Sequence, residues 1–338
     1  MWRRCLAILT VSLNRGSKPL RCCGSRLGAL VVCRAFFWLF AICPTVPAWA
    51  QAWQPARGEG SGTISYQNVH GGDHYDKFGK ISNPGALRSS NIMVGFDYGI
   101  TERIAVSAEL PYVVSKFTLR EGATPGPHQL HSTVDDSNYR GTLQDFHARI
   151  QYDAMKETVQ LRPFFEAIIP THAYETFGHS APGMRLKEYR MGLNVGRWLD
   201  PLVPRAYFNL QPMYSFTESV ADLNLDHVSV ALEVGYDLDR FAIRALGGIE
   251  KRLGGVQLPV PASSPYFEIH DRIGREAFSY AGGGATFRWG RNTDLFAVFS
   301  KTLSAKNAHG YATLTTGVHW SFKTRRSRNT LRFPERPR

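Results

Sequence analysis

The sequence predicts an all-β protein: a transmembrane antiparallel up-and-down β-barrel of about twelve strands, with short periplasmic turns and long outer loops. Three observations carry this. Alternating runs of roughly ten residues follow one another from Arg57 to Phe322, the links between them alternate short and long, and every cysteine precedes them. Period two marks a strand, and a tilted strand of that length crosses a bilayer.

The first fifty residues stand apart. They carry Arg3, Arg4, Arg15, Lys18, Arg21, Arg26 and Arg34 with no acid, and an apolar run from Ala35 to Cys43. Pro44, Pro47 and the small-x-small "AWA" of Ala48 to Ala50 follow. This is the layout of a cleaved secretory signal, too short in its apolar part to stay as an anchor, with the cut expected after Ala50. Cys5, Cys22, Cys23, Cys33 and Cys43 all fall before that cut, so an exported chain has no disulfide and no thiolate metal site.

The net charge of +12 comes from the two ends. Residues 51–322 hold 26 basic and 27 acidic side chains, whereas 323–338, "KTRRSRNTLRFPERPR", hold 7 and 1. The balanced body gives no basic stripe for nucleic acid, and the tail reads as a disordered periplasmic extension. The expected domains are therefore a signal over 1–50, a barrel over 51–322 and a tail over 323–338.

The expected strands justify themselves in order. Residues 58–66 begin with Gly58, Gly60 and Gly62 as flexible lead-in; 90–99 place Ile92, Val94, Phe96 and Tyr98 on one face; 103–114 do the same with Ile104, Val106, Ala108, Leu110 and Tyr112. Residues 142–155 contain "DFHARIQY", where Asp145, His147, Arg149 and Gln151 alternate with Phe146, Ala148, Ile150 and Tyr152. Then come 159–171, 188–198, 205–216 with Phe208, Leu210, Tyr214 and Phe216, and 227–237 with Val228, Val230, Leu232, Val234 and Tyr236. Residues 241–251, 278–289 with the crowding-relief run "GGGATF", 294–303 and 310–322 complete the set, the register of 294–303 being ambiguous. The last, "GYATLTTGVHWSF", puts Ala312, Leu314, Val318, Trp320 and Phe322 on one face.

Short links are "ITE", "KET", "DPLVP", "LDR" and "GRN"; long ones include 117–141, 173–187 and 252–277. The apolar rows are expected to face lipid and to end in aromatic girdles. The opposite rows supply Asp97, Arg103, Glu109, Asp145, His147, Arg149, Arg162, Glu166, Glu188, Arg190, Asn194, Glu233, Arg244, Glu250 and Arg288, which a dry core would not tolerate but a wet lumen would. The lumen-lining and selectivity candidates are Asp145, His147, Arg149, Arg162, Glu166, Glu188 and Arg190, brought side by side by three consecutive strands.

Catalytic constellations are weak. His227, Val228, Ser229 and Val230 lack the asparagine of a His-x-Ser-Asn site, with His227 expected at a strand start as a loop residue, and Asp145, His147 and Arg149 share one wall rather than a cleft. His70, His74, His128, His131, His172 and His179 lie in or beside outer loops without standard metal spacing. No enzyme, cofactor or metal is expected.

The stretches "YGITERIAVSAELPY", "DFHARIQY" and "RPFFEAIIPTHAYETFG" resemble a family of outer-membrane transporters named for a phenol-degradation (MetA) pathway. The usual Pro-Thr-Gly is here Pro170, Thr171, His172. The resemblance implies a barrel in the outer membrane of a Gram-negative-type bacterium that passes small, often hydrophobic or aromatic, compounds. The final strand is similar to the C-terminal strand of such barrels, which implies that Phe322 serves the insertion machinery, although here a tail follows it. Expected partners are outer-membrane lipid, that machinery and a small solute. The alternatives are a structural or adhesive barrel and a secreted soluble β-protein.

Overall fold

The computed structural model describes residues 55–156 and 159–323. Twelve long strands run antiparallel in chain order: β1 (Glu59–Tyr75), β2 (Gly85–Gly99), β3 (Ile104–Leu119), β4 (Asp145–Tyr152), β5 (Gln160–Pro170), β6 (Glu188–Trp198), β7 (Ala206–Thr217), β8 (His227–Leu238), β9 (Phe241–Arg252), β10 (Ala277–Arg288), β11 (Thr293–Lys306) and β12 (Ala308–Lys323). Each pairs with its neighbours in sequence, and β12 pairs back onto β1 from Glu59↔Lys323 to Tyr75↔Ala308. The barrel is closed, so its twelve-stranded wall has no free edge strand among the described residues; three short pieces at 81–82, 140–143 and 155–156 each pair on one side only. The expected signal with its cut after Ala50, and the tail beyond Lys323, lie outside the described residues.

The two rims differ. At the turn rim the links are 100–103, 153–159, 199–205, 239–240 and 289–292; at the loop rim they include 120–144, 171–187 and 253–276. Three of the loop-rim strands are longer than the periodicity predicts. β1 runs to Tyr75, β2 begins at Gly85, and Phe117 lies inside β3 rather than in a loop. The added stretches are largely polar, so hydropathy does not announce them, yet β1 pairs with β2 up to Gly71↔Leu87 and β2 with β3 up to Gly85↔Leu119. On the far side of the seam, β11 and β12 continue through what reads as an outer link over 304–309. Asn307 alone turns the chain, at φ 49°, a left-handed conformation that asparagine adopts more readily than most side chains. Its amide also anchors the 253–276 loop, accepting from the Leu258 N–H at 2.8 Å and donating to the Arg275 carbonyl at 2.9 Å.

Side chains alternate outward and inward around the whole wall. Ile92, Val94 and Phe96 on β2 are 48%, 52% and 44% exposed, while Ser89 and Met93 on the same strand are buried. Similar apolar rows face outward on β1, β4, β8 and β12. An outward band of this extent on a water-soluble protein would be an association site all round; against lipid it is the expected surface. The register of β11 is now fixed, with Ala297, Phe299 and Leu303 outward and Val298, Ser300 and Thr302 inward.

Gly60 and Gly62, expected as flexible lead-in, are instead part of β1 and sit opposite Phe322 and Trp320. The two rings lie over these glycines: a Cβ on Gly62 would fall 2.3 Å from the Trp320 ring, and one on Gly60 2.5 Å from that of Phe322. Thus the aromatic end of the last strand packs flat along the seam because the first strand offers no side chain there. Overpacking typically costs about 1–3 kcal/mol. Gly62→Val should accordingly lower the thermal unfolding midpoint in detergent, with Trp320→Ala in the same chain restoring part of the loss; an unchanged midpoint would contradict this packing.

Candidate functional site

Strand register decides what the interior can do. Reading straight across the sheet, the inward residues Ser321, Ser61, Asp97, Ser107, Arg149, Glu166, Arg190, Ser215, His227 and Arg252 are successive partners on β12, β1, β2, β3 and so on to β9. Barrel strands are staggered, so such a row climbs as it circles. Here it starts beside the turn rim at Ser321 and Asp97 and ends beside the loop rim at His227 and Arg252. Short serines interrupt the charges along this ramp, and opposite charges face each other directly only in its middle, Arg149 against Glu166 and Glu166 against Arg190.

Its centre is a carboxylate between two guanidiniums. Glu166 accepts from Arg149 at 3.2 Å and lies 3.5 Å from Arg190, with His147 Nδ1 at 3.9 Å. Arg190 also donates to Glu188, which in turn lies 3.2 Å from His227 Nε2, and His227 is 3.9 Å from Glu250. His227 is therefore a buried wall residue within β8, not the loop histidine expected from its position. The Arg149 guanidinium lies 4.3 Å from the centre of the Phe164 ring, close enough for cation–π attraction.

Of the seven expected lining residues, five gather in this network: His147, Arg149, Glu166, Glu188 and Arg190. Asp145 lies at the loop end of β4, where Tyr174 donates to it at 2.5 Å. Arg162 is only 2% exposed and pairs with Asp153 at 2.5 Å near the turn rim, apart from the others. Arg103, expected inside, sits in the 100–103 turn and reaches the outward Tyr152 hydroxyl at 3.2 Å. At the end of a strand the next residue is free to swing out, and parity no longer fixes its side.

Bulky rings are kept from blocking the interior by glycines beside them. Phe164 lies over Gly192, Tyr207 over Gly235 and Tyr280 over Gly248, at distances where any Cβ would collide. The inward residues of β1, β11 and β12 are mostly hydroxyls, among them Thr63, Ser65, Ser300, Thr313 and Thr315. One wall is thus densely charged and the other mostly hydroxyl-lined, with Asp294 and His319 near the turn rim as its charged or titratable members.

The loop rim is covered by a folded cap. Leu186, Leu225 and Ile273 form a small buried cluster from three different loops, with Met184, Val220, Val256 and Ile269 packed against it. Polar ties add to it: Gly178 N–H to Asp271 at 2.9 Å, Gln144 Nε2 to the Pro182 carbonyl at 2.7 Å, and Ser115 Oγ to the Ser180 carbonyl at 2.6 Å. Tyr174 fastens the 171–187 loop to the wall through Asp145. Burial first, and then the Asp145 carboxylate, push the Tyr174 hydroxyl above the ordinary tyrosine range, so it stays a donor at any physiological pH.

His74, His179 and His309 meet under the cap, with ring centres 4.6, 4.1 and 5.8 Å apart, and Asp135 holds His179 at 2.8 Å. Sequence spacing could not foresee this, since the three come from β1, a loop and β12. Among the described residues no set of histidine and acidic side chains has metal-binding geometry. His172 instead bonds Thr142 at 2.8 Å. Beneath the cap lies a cavity of about 340 Å³, and a smaller one of about 80 Å³ sits nearer the turn rim beside Asp97, Arg244, Asp294 and His319.

Comparison with solved structures places this architecture. An outer-membrane channel from Pseudomonas putida F1 superposes with a TM-score of 0.63 at 14% identity, over 82% of this chain and 100% of that one. The fold is that of an outer-membrane β-barrel. The toluene transporter TodX of P. putida (TM-score 0.41, 8% identity, 85% of this chain and 93% of that) and the translocator domain of the autotransporter NalP from Neisseria meningitidis (0.44, 18%, 78% and 88%) are more distant. No family model and no curated protein matches the chain.

In such a barrel, removing Glu166 leaves Arg149 and Arg190 facing each other without their shared acceptor. Loss of a hydrogen-bonded charged partner costs about 1–3 kcal/mol. Glu166→Gln should destabilise by that order in chemical unfolding from detergent, and combining it with Arg190→Gln should cost less than the two single effects added. Strict additivity would mean that the pair is not coupled.

Proposed function

We propose that the chain is an outer-membrane channel for small solutes, with a gate made by the folded cap. The observation that carries this reading is the inward polar ramp from Asp97 to His227, whose centre is the Arg149, Glu166 and Arg190 cluster and whose gaps are filled by Ser107 and Ser215. Fixed charges in a lumen make sense where water or a polar solute passes, because burying them in a merely structural wall costs solvation that an apolar filling would avoid. A structural or adhesive barrel has no use for a ramp that links both rims. A secreted soluble protein would not carry an outward apolar band on every side.

The turn rim then faces the periplasm and the capped rim the outside, consistent with an outer-membrane address reached by a signal cut after Ala50. Phe322 fits an insertion signal, its ring lying along the seam rather than inside the wall. The phenol-degradation type, with small hydrophobic or aromatic solutes, is supported by the quoted stretches and by the inward rings of Phe164, Phe278, Tyr280 and Phe296. Arg149, Glu166, Glu188 and Arg190 would act as the filter. Opposite charges facing each other set a transverse field, which orients a polar solute while leaving little net preference for either sign.

Tyr174 and Asp145 form the latch. Hydrogen bonds to a charged group contribute about 1.5–3 kcal/mol, so losing one shifts a closed-to-open ratio by roughly tenfold to a hundredfold. Purified full-length protein in planar bilayers should show rare, brief openings, and Asp145→Ala should raise the open probability and the swelling rate of liposomes in small aromatic alcohols. Silence of both proteins in both assays would sink the channel reading.

A further inference from the structure

The 340 Å³ cavity under the cap has a chemistry of its own. It is bounded by the 171–187 and 253–276 loops and by β9 to β12, and the side chains that give it character are Glu250, Asp271, Glu276, Phe278, His309 and Tyr311. Among the described residues no lysine or arginine lines it. Among the described residues no group donates a hydrogen bond to the Glu276 carboxylate. The guanidinium of Arg252, within electrostatic reach of Glu276, is instead directed at the carbonyls of Arg272 and Gly274, at 3.2 and 2.9 Å. Burial pushes the Glu276 carboxyl above the ordinary carboxylate range, with Arg252 offsetting this in part and Glu250 and Asp271 adding to it.

Acids around a partly open cavity, facing aromatic rings and with no lysine or arginine among the described lining residues, complement a positive guest. The rings matter as much as the acids: Phe278 and Tyr311 are inward, and His309 stands 6.0 Å from Tyr311 between their centres. A compact hydrated metal ion has no use for such rings, whereas a cation on an organic body is attracted to ring faces and carboxylates together. The volume also suits a small molecule rather than a bare ion.

We infer that this cavity is a capture site for a small organic cation, an amine or quaternary ammonium on a compact aromatic or aliphatic body, held between Glu276, Glu250 and the rings of Phe278 and Tyr311. It deepens the channel reading, on which it rests for the route by which the ligand arrives. Binding itself is measurable without transport, so the two can fail separately.

The test is calorimetric titration of the full-length protein in detergent micelles with benzylamine, benzyl alcohol and benzoate, which share a ring and differ in charge. Benzylamine should bind about tenfold or more tightly than either analogue. Glu276→Gln should weaken benzylamine by about tenfold while leaving benzyl alcohol unchanged, and Phe278→Leu, which keeps every carboxylate, should also weaken it. Heat-modifiable gel migration of each variant checks that the barrel is intact. Equal binding of all three probes, or benzylamine affinity untouched by Glu276→Gln, overturns the site. Displacement of benzylamine by calcium at equal concentration also overturns it, assigning the acids to a divalent cation. Conductance without benzylamine binding would remove the capture site and leave the channel; binding without conductance would do the reverse.

Discussion

The structure depends on closure between β1 and β12. With no cysteine after Cys43, nothing covalent holds the barrel, and every backbone donor and acceptor in the wall must find its partner in the next strand. Closure satisfies that demand and simultaneously fixes the stagger of all twelve strands. From the stagger follows the climb of the inward row, and from the climb follows the meeting of Arg149, Glu166 and Arg190 in one line. A seam shifted by one residue would put His319 outward and Trp320 inward, because side chains alternate with period two. The bare backbones of Gly60 and Gly62, roofed by Phe322 and Trp320, make one register the easily packed one.

Much of this was legible in the sequence because period two is local. The outward set Phe146, Ile150 and Tyr152 and the inward set Asp145, His147, Arg149 and Gln151 can be read from eight letters. Which residues face each other across strands is not local, and so the ramp was hidden: Arg162 and Glu166 share the inward face of one strand, yet Arg162 pairs with Asp153 near the turns and Glu166 with two arginines higher up. Parity also gives out at strand ends, where Arg103 swings to the rim. Hydropathy misses the polar upper parts of β1, β2 and β3, whose pairing is required by the backbone rather than by lipid. The histidine trio was beyond reach for the same reason, as its members are more than 100 residues apart in sequence.

Charges in the lumen impose a condition that the apolar outside does not. Each removed from bulk water needs a partner or residual water, and the neutral serines at positions 107 and 215 let the ramp continue past strands without adding charge. The glycines beneath Phe164, Tyr207 and Tyr280 answer a different need. A ring standing upright would fill the interior, whereas a ring laid over a glycine on the next strand adds apolar wall at small cost in space. Charge and aromatic surface are thereby combined on one wall.

The cap is the part that a rigid wall cannot explain by itself. Its apolar cluster is small, three buried side chains and a few neighbours, and much of its attachment is polar: Asp145 to Tyr174, Asp135 to His179, Asp271 to Gly178. A lid held by a large apolar core would stay shut at the stability of the barrel. One held by a handful of hydrogen bonds opens at a fraction of that free energy, because water can replace each bond as it breaks. The taller strands on the β1 to β3 and β11 to β12 side give the loops something to fasten to outside the lipid, so that opening the cap need not disturb the closure on which the wall depends.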